Sequence, residues 1–307
     1  METEETNTST KVRGVRSCVA DALKTVTKNF VQISKARWKP FLILSVTFAI
    51  LKTWGDGLQA GVLFVGYELK TTQSIVSFLL SVIAGLMFWA VVLSIINNRS
   101  YKWNMLRLLK ILPSNLSMMA ASLFVGIAAS TAYVMALGTA QTPIALVIAA
   151  GLPAFFIMSL LLYVPMTYVS CRYMIEPSLS LRKSFWKTFG EGFRGWGFMF
   201  LTILALFFCI SLITLTLGLP SITMWAITMM SQWGVAAYGD PTGLPEYYVA
   251  IDFVANLYFY LLFIYMSIFS TKALCHATQT VTYKNKIRKE LKAKAKAAKT
   301  EELQAQK

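Results

Sequence analysis

The sequence predicts an all-α fold, a polytopic transmembrane helix bundle of six spans with amphipathic interface helices on the cytoplasmic side. Three observations carry this. The chain has 307 residues, 56% of them hydrophobic and only 14% charged, with a mean hydropathy of +0.57, far less polar surface than a soluble domain of this size needs. Its apolar runs reach the roughly 20 residues that cross a hydrocarbon layer about 30 Å thick. All but two of its 29 Lys and Arg residues, Lys52 and Lys70, lie in every second gap between those runs. Basic loops stay on the cytoplasmic side, so this segregation predicts orientation as well as insertion.

The elements follow in order. Residues 1–18 are acidic, then basic, and are expected to be a disordered cytoplasmic N-terminus. No apolar signal-peptide core is visible in the first 30 residues. From Val19 the pattern turns helical. Val19, Leu23, Val26, Phe30 and Ile33 take one face, and Lys24, Lys28, Gln32 and Lys35 the other, which suits a helix at the headgroup level. Arg37, Trp38 and Lys39 mark the interface, and Pro40 opens the first span, 40–66.

The end of that span is open. Residues 41–51 are too few to cross, and continuing to Gly66 takes Lys52 and Asp56 into the layer. These stand four apart and can pair on a helix. The other reading is a shallow helix followed by an interfacial one. Further spans are expected over 74–96, 114–137, 144–169, 196–217 and 247–271, with Pro153 and Pro165 kinking the fourth. The stretch from Gly218 to Glu246 is the longest external region, and its apolar first half is expected to be a short helix on the membrane face. The 19–271 membrane domain is followed by a basic cytoplasmic tail, 272–307.

Three cytoplasmic segments, 19–38, 101–112 and 179–193, combine apolar helical spacing with basic residues. They predict an inner collar for anionic headgroups. Its candidate contacts are Lys24, Lys28, Lys35 and Arg37, then Arg107 and Lys110, then Arg182, Lys183, Lys187 and Arg194, with Arg288 and Lys289 in the tail. The lipid bilayer is thus the expected partner. A membrane-protein partner or homo-oligomer is compatible, and no specific nucleic acid is expected, because topology alone accounts for most of the net charge of +15.

Signals for chemistry are few. There is one histidine, His276, and no clustered metal ligands, P-loop, GxSxG or HExxH, so no metal, cofactor or catalytic residue is expected. The four cysteines form no CxxC pair and predict reduced thiols. The intramembrane polar candidates are Lys52, Asp56, Asp252 and Asn256, the last two sharing a helical face with Tyr260. They can be a transport site, or a structural pair and an Asp near the outer end of a span. Small residues at helical spacing, Ser122, Gly126 and Ser130, permit close packing within or between chains.

The run Leu179-Ser-Leu-Arg-Lys-Ser-Phe-Trp-Lys-Thr-Phe, leading through Arg194-Gly-Trp196 into a span, resembles the amphipathic aLrrSw helix of bacterial six-span membrane proteins of the YciC type. It is similar, too, to the membrane domain attached to some glycerophosphodiester phosphodiesterases. The resemblance implies a six-helix bundle with interface helices and no established activity, and the phosphodiesterase domain itself has no counterpart in this sequence. A carotene-oxygenase reading, which needs several histidines for iron, does not fit His276 alone. The expectation is a non-enzymatic protein of a bacterial inner membrane with both ends cytoplasmic, organising or supporting a lipid or protein partner. The rival is a small-solute or lipid transporter using Lys52, Asp56 and Asp252.

Overall fold

A computed structural model describes residues 13–59, 67–137, 144–239, 244–245 and 247–305. Every regular element among them is an α-helix. These are α1 (Val15–Lys28), α2 (Phe30–Gln59), α3 (Tyr67–Asn97), α4 (Tyr101–Leu137), α5 (Ile144–Ile175), α6 (Leu181–Arg194), α7 (Trp196–Leu217), α8 (Leu219–Tyr238) and α9 (Tyr248–Ala305). Among the described residues, five stretches are long and apolar enough to cross a membrane: Ser74–Asn97, Tyr101–Met135, Gly151–Ile175, Trp196–Leu217 and Tyr248–Ala298. Their outward surface is apolar. Phe124 is 72% exposed and Phe208 64%, while Thr202 is fully buried. Water on such a surface would be costly and hydrocarbon is not. The chain is a membrane protein.

Helix boundaries depart from the sequence reading in instructive ways. Part of the N-terminal stretch expected to be disordered is ordered: α1 begins at Val15, and Cys18 is fully buried. Residues 1–12 lie outside the described residues, as does the far end of the first span, 60–66. The segment 101–112 and the span from Ser114 are a single helix, with Pro113 inside it. In hydrocarbon, ending a helix strands several backbone groups, whereas an internal proline forfeits one hydrogen bond. For the same reason α5 continues through Pro153 and Pro165. Only α2 leaves helical geometry, at Arg37 (φ −130°, ψ 16°), three residues before Pro40. Pro40 cannot donate to Ala36, and its ring crowds that turn. The stretch expected to lie outside the membrane contains the 20-residue α8, longer than the short helix expected. The last span and the tail are one 58-residue helix, since nothing between Tyr248 and Ala305 is Gly or Pro.

The described residues pack as two compact units. The first draws on 13–20, 109–204 and 273–305. Its core gathers Cys18, Val164, Tyr168, Met199, Ala277 and Val281. Small residues let backbones close in. At Gly126 an added Cβ would stand 3.0 Å from Cβ of Phe155 and 3.4 Å from the Gly151 carbonyl. The small-residue stripe of α4 therefore meets α5 within the chain. At Gly192 an added Cβ would stand 3.0 Å from Cδ1 of Tyr168 and 3.1 Å from the Pro165 carbonyl, which seats α6 directly on α5.

The second unit draws on 21–108 and 205–272. Here α2 packs against α3 and α8. Phe48 stands edge-on to Phe88 (ring centroids 5.9 Å) and stacks on Tyr260 (5.3 Å). The corner between α3 and α4 is built from asparagines. Asn98 takes a left-handed backbone (φ 52°), which Asn tolerates well. Asn97 donates its amide to Oδ1 of the buried Asn104 at 2.7 Å.

Candidate functional site

Two polar constellations stand out, one in each unit. In the second unit the four intramembrane candidates form two hydrogen-bonded clusters, in which Asp56, Asp252 and Asn256 are buried and Lys52 is partly exposed. Lys52 donates to both carboxylate oxygens of Asp56 one turn on. Asn256 donates to Asp252 at 2.9 Å and to the Thr53 hydroxyl at 3.2 Å. Its own carbonyl accepts from Ser221 of α8 at 2.9 Å. Thr228 and Tyr248 hydrogen-bond beside it. Asp252 is 1% exposed and Asp56 5%. Asp252, expected as near the outer end of a span within reach of water, is thus closed off. The spacing of four places Asp252 and Asn256 on one face of α9, and α2 supplies Thr53 one residue after Lys52. Thr53 and Ser221 were missed by the sequence reading. Hydroxyls are too common in membrane helices to signal a site, and their partners are 203 and 35 residues away.

The second constellation centres on Glu191. Its carboxylate accepts from Arg172 of α5 and, at 2.6 Å, from Lys289 of α9. The amide of Asn285 donates to its backbone carbonyl at 3.1 Å. Arg172 also reaches Glu176 at 3.0 Å, and Tyr168 shares a hydroxyl hydrogen bond with Thr282 at 2.9 Å. Burial pushes the Glu191 carboxyl up, but Lys289 and Arg172 outweigh it and hold the group below the ordinary carboxylate range. One signal could have found Glu191: no other acid occurs between Glu176 and Asp240.

These bonds orient α6. Its buried residues are Thr188, Glu191 and Gly192, the polar and small ones. Phe185, Trp186, Phe189 and Phe193 form a continuous row of ring contacts at 5.4 to 6.3 Å, which runs from the half-buried Phe185 and Phe189 to the exposed Trp186 and Phe193. Trp186 is 76% exposed, and Arg182, Lys183, Lys187 and Arg194 are exposed beside the row. A helix in water turns its aromatic side inward. This one leaves Trp186 and Phe193 exposed, while a buried carboxylate with two cations holds Thr188, Glu191 and Gly192 to the protein.

The remaining collar candidates divide. Lys24, Lys28, Lys35 and Lys110 are exposed, and α1 buries Cys18, Ala22 and Val26 while leaving Leu23 and the following Phe30 open. Arg37 bonds the Tyr101 hydroxyl and lies over its ring. Arg107 is buried over the Trp103 ring at 4.6 Å, with Arg99 on the same ring at 5.7 Å. Arg288 is exposed, whereas Lys289 belongs to Glu191. His276 accepts a hydrogen bond from Arg13. None of the four cysteines forms a disulfide, and no group of three or more potential metal ligands occurs among the described residues. No family model, curated protein or solved structure matches the chain.

Proposed function

We propose that this is a non-enzymatic multi-pass protein of a bacterial inner membrane, with both ends cytoplasmic, which gathers anionic lipid around a basic, aromatic inner collar and so supports a lipid or protein partner. One observation carries the reading, the seating of α6, which leaves Trp186 and Phe193 exposed beside four exposed cations. An aromatic row flanked by four cations suits the headgroup boundary, where rings bury among acyl chains and cations meet phosphates. In this reading α2 is the sixth span. From Pro40 to Gln59 it has 20 residues, about 30 Å of helix, and the Lys52–Asp56 pair leaves no net charge on it. The six-helix plan matches the resemblance carried by residues 179–196.

The test is extraction of the full chain in native lipid and mass spectrometry of what accompanies it. Enrichment of anionic lipid over the bulk membrane, lost when Arg182, Lys183, Lys187 and Arg194 are all changed to Gln, supports the reading. Bulk composition around the unaltered chain defeats it.

A second reading, transport, is favoured by the other constellation. Asp56 and Asp252 are both buried beside one lysine, and intramembrane carboxylates often mark ion paths. Proteoliposomes with a pH-sensitive dye distinguish the two. A proton flux abolished by Asp252→Asn argues for transport, and its absence for the collar.

A further inference from the structure

Two thiols meet in the first unit. Here α5 lies against the part of α9 that follows Lys272. Val164 and Tyr168 share a core with Ala277 and Val281, and the Tyr168 hydroxyl is hydrogen-bonded to that of Thr282 at 2.9 Å. Cys171 follows Tyr168 by three residues, within one turn of the same helix. Cys275 stands on α9 two residues before Ala277. The Cys275 thiol donates a hydrogen bond to the Cys171 sulfur. Both residues belong to this one unit.

A thiol is a weak donor, so the bond itself holds little. Its consequence is proximity. Two sulfurs held side by side by packed helices can react with each other without any search by the chain. Metal binding is the other use of paired thiols, but a structural zinc takes four ligands, and no group of three or more potential ligands occurs among the described residues. Exposure assigns the order of events. Cys171 is partly exposed, whereas Cys275 is 5% exposed. A small oxidant therefore meets Cys171 first, with Cys275 behind it as the resolving thiol. The remaining cysteines are placed differently: Cys18 is fully buried on α1, and Cys209 belongs to the second unit.

We propose that Cys171 and Cys275 are a modification site, a dithiol that closes to a disulfide between α5 and α9 when the chain meets hydrogen peroxide. In the first step the Cys171 sulfur attacks one peroxide oxygen. The O–O bond breaks, the thiol proton leaves with the departing oxygen as water, and Cys171 becomes a sulfenic acid. In the second step the Cys275 sulfur attacks the Cys171 sulfur. The S–S bond forms, the S–O bond breaks, and the hydroxyl takes the Cys275 proton as a second water. The pair loses two electrons and peroxide gains them. A small dithiol reverses the reaction by exchange. The site depends neither on which way the chain faces nor on the collar.

The experiment uses the full chain, reduced beforehand, in neutral phosphatidylcholine nanodiscs. After treatment with hydrogen peroxide the chain is unfolded, alkylated and digested, and its peptides are read by mass spectrometry. Expected is one linked peptide pair joining Cys171 to Cys275, lighter by two hydrogens, with Cys18 and Cys209 recovered as alkylated thiols. Dithiothreitol should return all four thiols. In Cys275→Ser the link should vanish and Cys171 should advance to sulfinic acid, because no resolving thiol remains. Four intact thiols after excess peroxide overturn the proposal. So does a native chain in which Cys171 reaches sulfinic acid while Cys275 stays a thiol, or in which Cys171 is linked to Cys18 or to a second copy. A link formed equally well in chain unfolded before treatment would trace it to chance encounter and would likewise reject the site.

Discussion

The Nζ of Lys289 lies 2.6 Å from Oε1 of Glu191, 98 residues earlier in the chain. That bond, with the Arg172 guanidinium on the other oxygen, ties α6 to both α5 and α9 and sets which way the aromatic row faces.

Removing the Glu191 charge should therefore release α6. Glu191→Gln leaves Arg172 and Lys289 facing one another without their carboxylate. Breaking a buried pair costs about 3–5 kcal/mol, but Lys289 is half exposed to solvent, so about 2 kcal/mol is expected. The measurement is thermal unfolding in detergent, with hydrogen exchange across 181–194 rising in the variant. No change in either would mean that Gly192 packing alone seats the helix.

The same bond sets a pH dependence. The Glu191 pKa is lowered in the folded state. Its contribution is thus complete above the unfolded carboxylate value near 4.3 and is lost as pH falls through the lower folded value. The midpoint of unfolding should hold between pH 7 and 5 and drop on further acidification. Part of that drop should be missing in Glu191→Gln.

Two glycines of α6 should respond in opposite directions. Gly192→Ala puts a methyl against the Tyr168 ring and the Pro165 carbonyl, and backbone oxygen cannot move aside, so a loss of about 1–3 kcal/mol is expected. Gly190 has nothing within 4 Å of an added Cβ, and Gly190→Ala should gain up to about 1 kcal/mol from helix propensity. Parallel melting curves read both, and a shared sign would contradict the seating of α6.

In the other constellation, Lys52→Met leaves Asp56 buried without its cation and should cost about 3 kcal/mol, while Lys52→Met with Asp56→Leu should cost less than the single change. Urea unfolding in mixed micelles compares them. A double variant worse than the single would assign Asp56 a partner beyond Lys52.

Orientation needs probes other than the native thiols. Cys18 and Cys275 are buried, so slow labelling there would report packing and not sidedness. Lys24 and Lys294 are exposed. Lys24→Cys and Lys294→Cys should react with an impermeant maleimide in inverted vesicles and not in intact cells. Labelling from outside would reverse the proposed topology.

Composition and charge order by themselves determined that the chain is helical and enters a membrane, because burying apolar length and excluding charge act on each segment separately. They placed Lys52 beside Asp56, and Asp252 beside Asn256, because spacing of four on a helix is local. Only tertiary structure brought Thr53 and Ser221 to Asn256, or Lys289 to Glu191, since those bonds join residues the sequence holds far apart. It alone decided that the 101–112 segment and the basic tail continue the helices beside them. Whether a helix stops depends on what its unpaired backbone groups would meet, and that is a property of the surroundings and not of the residues in it.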